Sequence, residues 1–190
     1  MSGPDGIFNS TAQLLEAAIE RVTGSPSELR AKAQECTQCA NDVDAAANDT
    51  KQIVINLGQG WNGAAYDAAK DTTDKLIQEL INVLKQNLQQ EAQRLNSSAE
   101  ALTGAKQNME QEKQDFEQIK QMIMQIMQAM IQAAMGSPNA GALIAAAIAQ
   151  AVMKAIQLMT QKQQSSQQIE KQLSSTFSQL YSQQNATTSR

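Results

Sequence analysis

Apolar side chains recur every seven residues along most of this chain. One series is Leu29, Cys36, Val43, Thr50 and Leu57, with Ala33, Ala40, Ala47 and Val54 four positions behind each. A second is Ile81, Leu88, Leu95, Leu102, Met109, Phe116, Ile123 and Met130. A seven-residue period with small companions is the mark of helices packing along a seam, and it overrules the short strand-like run Ile53, Val54, Ile55. The first series is preceded by GSPSEL. There Ser25 is placed to cap the helix, Pro26 to open it and Glu28 to complete a capping box, so the pattern predicts a helix over 26–57. Gly58 and Gly60 are expected to end it through positive φ.

The second series predicts one helix from about 62 to 134, about 105 Å long if straight at 1.5 Å per residue. Its apolar stripe thins between 91 and 115, and Gly104 adds about 1 kcal/mol of helix cost relative to Ala, so a bend or mobile stretch is expected near 96–108. GSPN at 136–139 is a compact turn, and a further helix is expected over 140–182. A short first helix after Asn9 or Ser10 should end near Gly24, while QQNATTSR at 183–190 carries no pattern and is expected to be a disordered tail. The short connections force antiparallel returns. The expected fold is an elongated all-α bundle in which two antiparallel hairpins share one long central helix. It is expected as a single domain over 1–190, with one hairpin over 25–100 and a distal one over 101–182.

Composition sharpens this picture. Apolar residues make up 42 % of the 190 but aromatics only 3 %, so the interior must be built from Ala, Leu, Ile and Met, which suits close helices better than a sheet. A net charge of -4 gives nucleic acid no attractive surface. The absence of histidine removes the commonest general base and nitrogen ligand. Cys36 and Cys39 form a C-x-x-C, but without an α/β setting or further ligands they read as two helical thiols. Asp42, Asp44 and Asp49, and Glu110, Glu112, Asp115 and Glu117, alternate with Lys and Gln along helices and read as solvated faces. No catalytic residue, cofactor or metal site is expected. The start MSGPDGIFNST lacks the basic and apolar regions of a cleaved signal peptide, and GALIAAAIAQAVM reads as too short and too alanine-rich to span a membrane.

The lone tryptophan lies in GQGWNGAAYDAAKD, at the break between the two long helices. Read locally, Trp61 is a plug sealing the wedge between diverging helices, with Gly63, Ala64 and Ala65 allowing close approach. Trp61, Asn62 and Gly63, followed by small residues and preceded by a helix of about 30 residues, resemble the WXG-motif proteins of type VII secretion systems over about 25–100. That resemblance implies a helical hairpin that pairs with a second copy or a helical secretion partner, recognised by the secretion machinery. It also implies export to the medium or cell surface without a cleaved signal. The export signal of that group is a Tyr with Asp or Glu four residues later. Here Tyr66 is followed by Lys70 and Tyr181 by Asn185, which favours a co-exported partner carrying the signal.

MIMQIMQAMIQAAM at 122–135 is the other candidate surface. Met122, Met124, Ile126, Met127, Met130 and Ile131 give soft apolar area on more than one helix face, suited to a partner or a membrane. The bland alternative is a distal core shared with 140–160. Three classes follow: a secreted non-enzymatic protein acting through protein contacts or self-assembly, a secreted translocator or pore former with a membrane-active Met-rich hairpin, and a cytoplasmic coiled-coil scaffold or secretion chaperone.

Overall fold

The structure, a computed structural model, describes residues 3–187, and among them there is no strand. The helices are α1 (Pro4–Arg21), α2 (Pro26–Leu57), α3 (Ala64–Glu79), α4 (Gln86–Ala134) and α5 (Ala140–Thr187), with a π-helical segment, Leu80–Lys85, joining α3 to α4. The all-α reading holds. α5 runs to Thr187, into the stretch expected to be a tail, and residues 188–190 lie outside the described residues.

Contacts divide the chain into two compact units, one of residues 25–100 and one of residues 1–24 with 101–190. In the 25–100 unit the capping box forms as expected, with Ser25 Oγ accepting from the Glu28 backbone N–H at 3.3 Å. α2 then packs on α3 and on the π-helical segment. Its buried residues are Ala33, Ala40 and Ala47, seven apart, whereas the parallel series at Cys36 and Val43 is only half-buried and Leu57 is exposed. The contact line is therefore the alanine line, which brings backbones close but buries little area per residue. Ile77 is the large side chain fully buried on α3, and Lys85 reaches across to Asp44 of α2 in a partly buried ion pair.

The other unit has its core where α1, α4 and α5 meet. Phe8, Leu15, Phe116, Ile123, Ala151, Ala155 and Leu158 form one cluster, with the Phe8 and Phe116 rings edge to face at 6.3 Å. α1 starts six or seven residues earlier than expected, with Pro4 at its first position, so Phe8 is helical and fully buried. The Gly24 turn closes α1: its φ of +114° favours glycine, its carbonyl accepts from Lys106 Nζ at 2.8 Å, and a Cβ there would meet Leu102 Cδ2 at 2.9 Å.

Two expectations are corrected. α-helical structure is unbroken through 96–108, and the thin stripe is not thin in fact: Ala92, Ser98, Ala99, Leu102, Ala105 and Met109 are all buried, small residues doing the packing that large ones were expected to do. The departure from α geometry falls at 80–85 instead, where an apolar, β-branched sequence gave no warning. Glu112 is also not on a solvated face. Its Oε2 accepts from Lys162 Nζ at 2.6 Å and its Oε1 from Ser165 Oγ at 2.6 Å, with Lys162 only 9 % exposed and Glu112 22 %. The polar stretch KQQSSQQ thus supplies the partners that let a carboxylate enter the α4–α5 interface.

Candidate functional site

The turn between α2 and α3 is built by glycines with different jobs. Gly58 sits in ordinary helical conformation, φ -63°, and needs to be glycine for space: a Cβ there would lie 2.4 Å from Tyr66 Oη and 2.6 Å from Cζ. Gly63 has the left-handed φ of +94°, while a Cβ there would meet nothing within 4 Å. The expectation of positive φ at Gly58 and Gly60, and of close approach at Gly63, is therefore reversed. Space is needed at Gly58 and backbone freedom at Gly63.

Tyr66, not Trp61, fills the wedge. Its half-buried ring lies over Gly58, and its hydroxyl donates to the Val54 carbonyl at 3.4 Å, the carbonyl that also accepts from the Gly58 N–H at 3.1 Å. Trp61 meets the Tyr66 ring edge to face at 6.2 Å and remains 44 % exposed, which corrects the plug reading. The reason is one of reach. Trp61 N–H bonds back to the Leu57 carbonyl at 3.0 Å, so the indole stays on the outer side of the turn, while Tyr66, inside the first turn of α3, points back at the end of α2. Toward the end of α2, Ile53, Ile55 and Leu57 are each more than half exposed, so this end of the helix presents apolar side chains to its surroundings. Tyr66 was legible in the sequence only as a failed export signal. Its packing role needed the three-dimensional contact with Gly58. Lys70, four residues on, is exposed and pairs with Asp74 at 2.8 Å, an interaction that raises its pKa.

This geometry coincides with a family match. Residues 21–107 match the WXG100 model, described as proteins of 100 residues with WXG. The chain carries a WXG100 region. Within it Trp61 and Gly63 occupy the interhelix turn, and the region contains the whole of the 25–100 unit. No curated protein and no solved structure matches the chain.

Elsewhere in the WXG100 region, Cys36 and Cys39 are free thiols, half-buried and exposed respectively. Burial raises the Cys36 pKa, with the nearby charges of Glu91 and Cys39 adding to it, the opposite of what an activated thiolate requires. Among the described residues no group of three or more Cys, Asp or Glu is placed to hold a metal ion.

Outside the WXG100 region, the six Met-rich residues separate. Met122 (57 %) and Ile126 (43 %) are exposed, whereas Met124, Met127, Met130 and Ile131 are half-buried, Met124 and Met127 against the Phe116 cluster. The same end of the α4–α5 hairpin exposes Met135, Leu143, Ile148, Met153 and Ile156, most of them on α5, which the sequence reading did not single out.

Proposed function

We propose that this is a non-enzymatic protein of a type VII secretion system, exported without a cleaved signal peptide and acting through contacts with other proteins. The observation that carries the reading is the WXG100 match over 21–107 with Trp61 exposed at its turn. An indole left exposed beside Tyr66, at the turn that follows the exposed Leu57, suits a contact made by the assembled protein rather than a core role. A second copy or a helical secretion partner is the fitting occupant, since neither Tyr66 nor Tyr181 is followed four residues later by an acidic residue and an export signal in trans would supply it.

The test compares culture medium from a native host with and without its type VII machinery. Release should require the machinery, and Trp61→Ala should lower it while the folded protein still accumulates inside the cell. Equal release from both hosts would reject the assignment.

A further inference from the structure

The α4–α5 hairpin has two unlike outer sides. No charged residue occurs from 121 to 153, and the uncharged arms of α4 and α5 on either side of the 136–139 turn are equal in length, about 20 Å each at 1.5 Å rise per residue. On α4, Gln121, Gln125, Gln128 and Gln132 recur at helical spacing and are all exposed, so that arm turns a polar stripe away from the Phe116 core. On α5, Ala147, Ala151, Ala155 and Leu158 face the core, and the opposite side is apolar too, made by Ala145, Ile148, Ala149, Val152, Met153 and Ile156. The most apolar stretch of α5 is long enough to be a core helix, yet only 22 % of it is buried. By length and composition α5 could cross a membrane, a property the sequence reading had set aside. A core helix with this composition is normally covered by its own protein; this one is not.

We infer that the outer face of α5 over 142–156 docks on the acyl surface of a lipid bilayer, with the hairpin lying flat and the glutamine stripe of α4 turned to water. Hydrocarbon fits this face better than another helix does. A partner helix is held in register and orientation by charged residues flanking the seam, and Lys154 is the single charged residue over 142–156, while lipid imposes no register. The two-sided arrangement decides the orientation: upright insertion would bury the four glutamines with the apolar face, whereas flat docking leaves them hydrated. Lys154 is the one basic residue over 142–156 and lies with Ala147 and Ala151 on the side toward α4, off the outer face, so docking depends on apolar burial and not on anionic headgroups.

This face lies outside residues 21–107, so docking and export can fail separately. The test is flotation of the full chain with phosphatidylcholine vesicles, at low and high salt. Wild type should float under both conditions. Met153→Glu and Ile156→Glu, both at exposed positions and checked for unchanged helicity and melting, should lower vesicle partitioning about tenfold each, a charge in the acyl region being costly. Gln125→Glu, on the opposite side, should leave it unchanged. Wild type that stays with the aqueous phase, flotation that requires anionic lipid and vanishes in salt, or equal loss in Gln125→Glu would each overturn the proposal. So would sedimentation equilibrium showing that Met153→Glu abolishes self-association while lipid binding is absent, which would assign the face to a second copy.

Discussion

Replacing Gly58 by alanine should change sign according to what stands at position 66. At φ -63° alanine is the better helix residue, and the substitution by itself would stabilise by about 0.4–1 kcal/mol through the unfolded chain. In the wild-type setting the new Cβ lies 2.4 Å from Tyr66 Oη, roughly 1 Å inside ordinary contact. The hydroxyl is the far end of a side chain that can swing away, so the cost is what the ring gives up by leaving. It loses a long hydrogen bond to the Val54 carbonyl, about 0.5 kcal/mol at the weak end of the usual range. It also loses the edge contact with Trp61, about 0.5–1.5 kcal/mol, and some buried ring area besides. Gly58→Ala should therefore destabilise by about 1 kcal/mol. In a Tyr66→Ala background, where nothing is displaced, the same change should stabilise by about 0.5 kcal/mol. Urea melts of wild type, both single variants and the double variant, followed by circular dichroism, close this thermodynamic cycle. Gly58→Ala that stabilises equally in both backgrounds would refute the packing of Tyr66 over Gly58.

Four further outcomes follow from the same structure. Lys162→Met should destabilise by about 2–3 kcal/mol, somewhat under the cost for a fully buried pair because Glu112 keeps Ser165 and some water, and adding Glu112→Leu should recover most of it; urea melts showing no recovery would mean that the pair is not coupled. Gly63→Ala should cost about 1–3 kcal/mol from backbone strain alone, since a Cβ there meets no neighbour, and Gly63→Asn should cost about as much, because φ +94° with ψ -174° lies outside the left-handed helical well that asparagine tolerates; unchanged melts for both would show that φ at 63 is not positive. Trp61→Ala should cost about 1–2 kcal/mol and not the 3–5 of a buried aromatic, because the indole is 44 % exposed; a larger drop in the urea midpoint would place it in a core. Iodoacetamide near neutral pH should alkylate Cys39 before Cys36, because burial raises the Cys36 pKa and keeps it a thiol. Cys36 labelling should catch up as pH rises through that raised value, and mass spectrometry of labelled peptides reads both.

Much of the helical plan was legible because it rests on local chemistry. Ser25, Pro26 and Glu28 announce the start of α2 in the sequence and form the cap in space. The series Leu102, Met109, Phe116 and Ile123 runs through the buried face of α4 as its spacing says. What escaped depends on which partner a residue meets. Glu112 looks like any carboxylate on a Gln-rich helix until Lys162 and Ser165 are brought to it from fifty residues away. Phe8 lies ahead of the first visible apolar period, so its burial against Phe116 leaves no local trace. Trp61 and Tyr66 share one turn, and size alone favoured the indole as the filler. Backbone direction gave the space to the smaller ring, and only the contact with Gly58 reveals it.

The π-helical segment Leu80–Lys85 has a consequence for how this chain tolerates length changes. A π turn is an α turn holding one additional residue, so it absorbs an insertion without ending the helix. Removing one residue from 80–85 would let α3 and α4 merge into a single α-helix with its two arms still in phase, because a π turn with its additional residue and an α turn without it carry the chain through about the same angle. The side carrying Ala92 and Ala99 would then stay aligned with the side on which Ile77 is buried. The same deletion between 86 and 91, in regular α-helix, would turn the residues after it by about 100°, one residue's share of a 3.6-residue turn. A single-residue deletion within 80–85 should thus disturb the 25–100 unit less than one a turn later. The six residues LINVLK act as a length buffer between two stretches of helix.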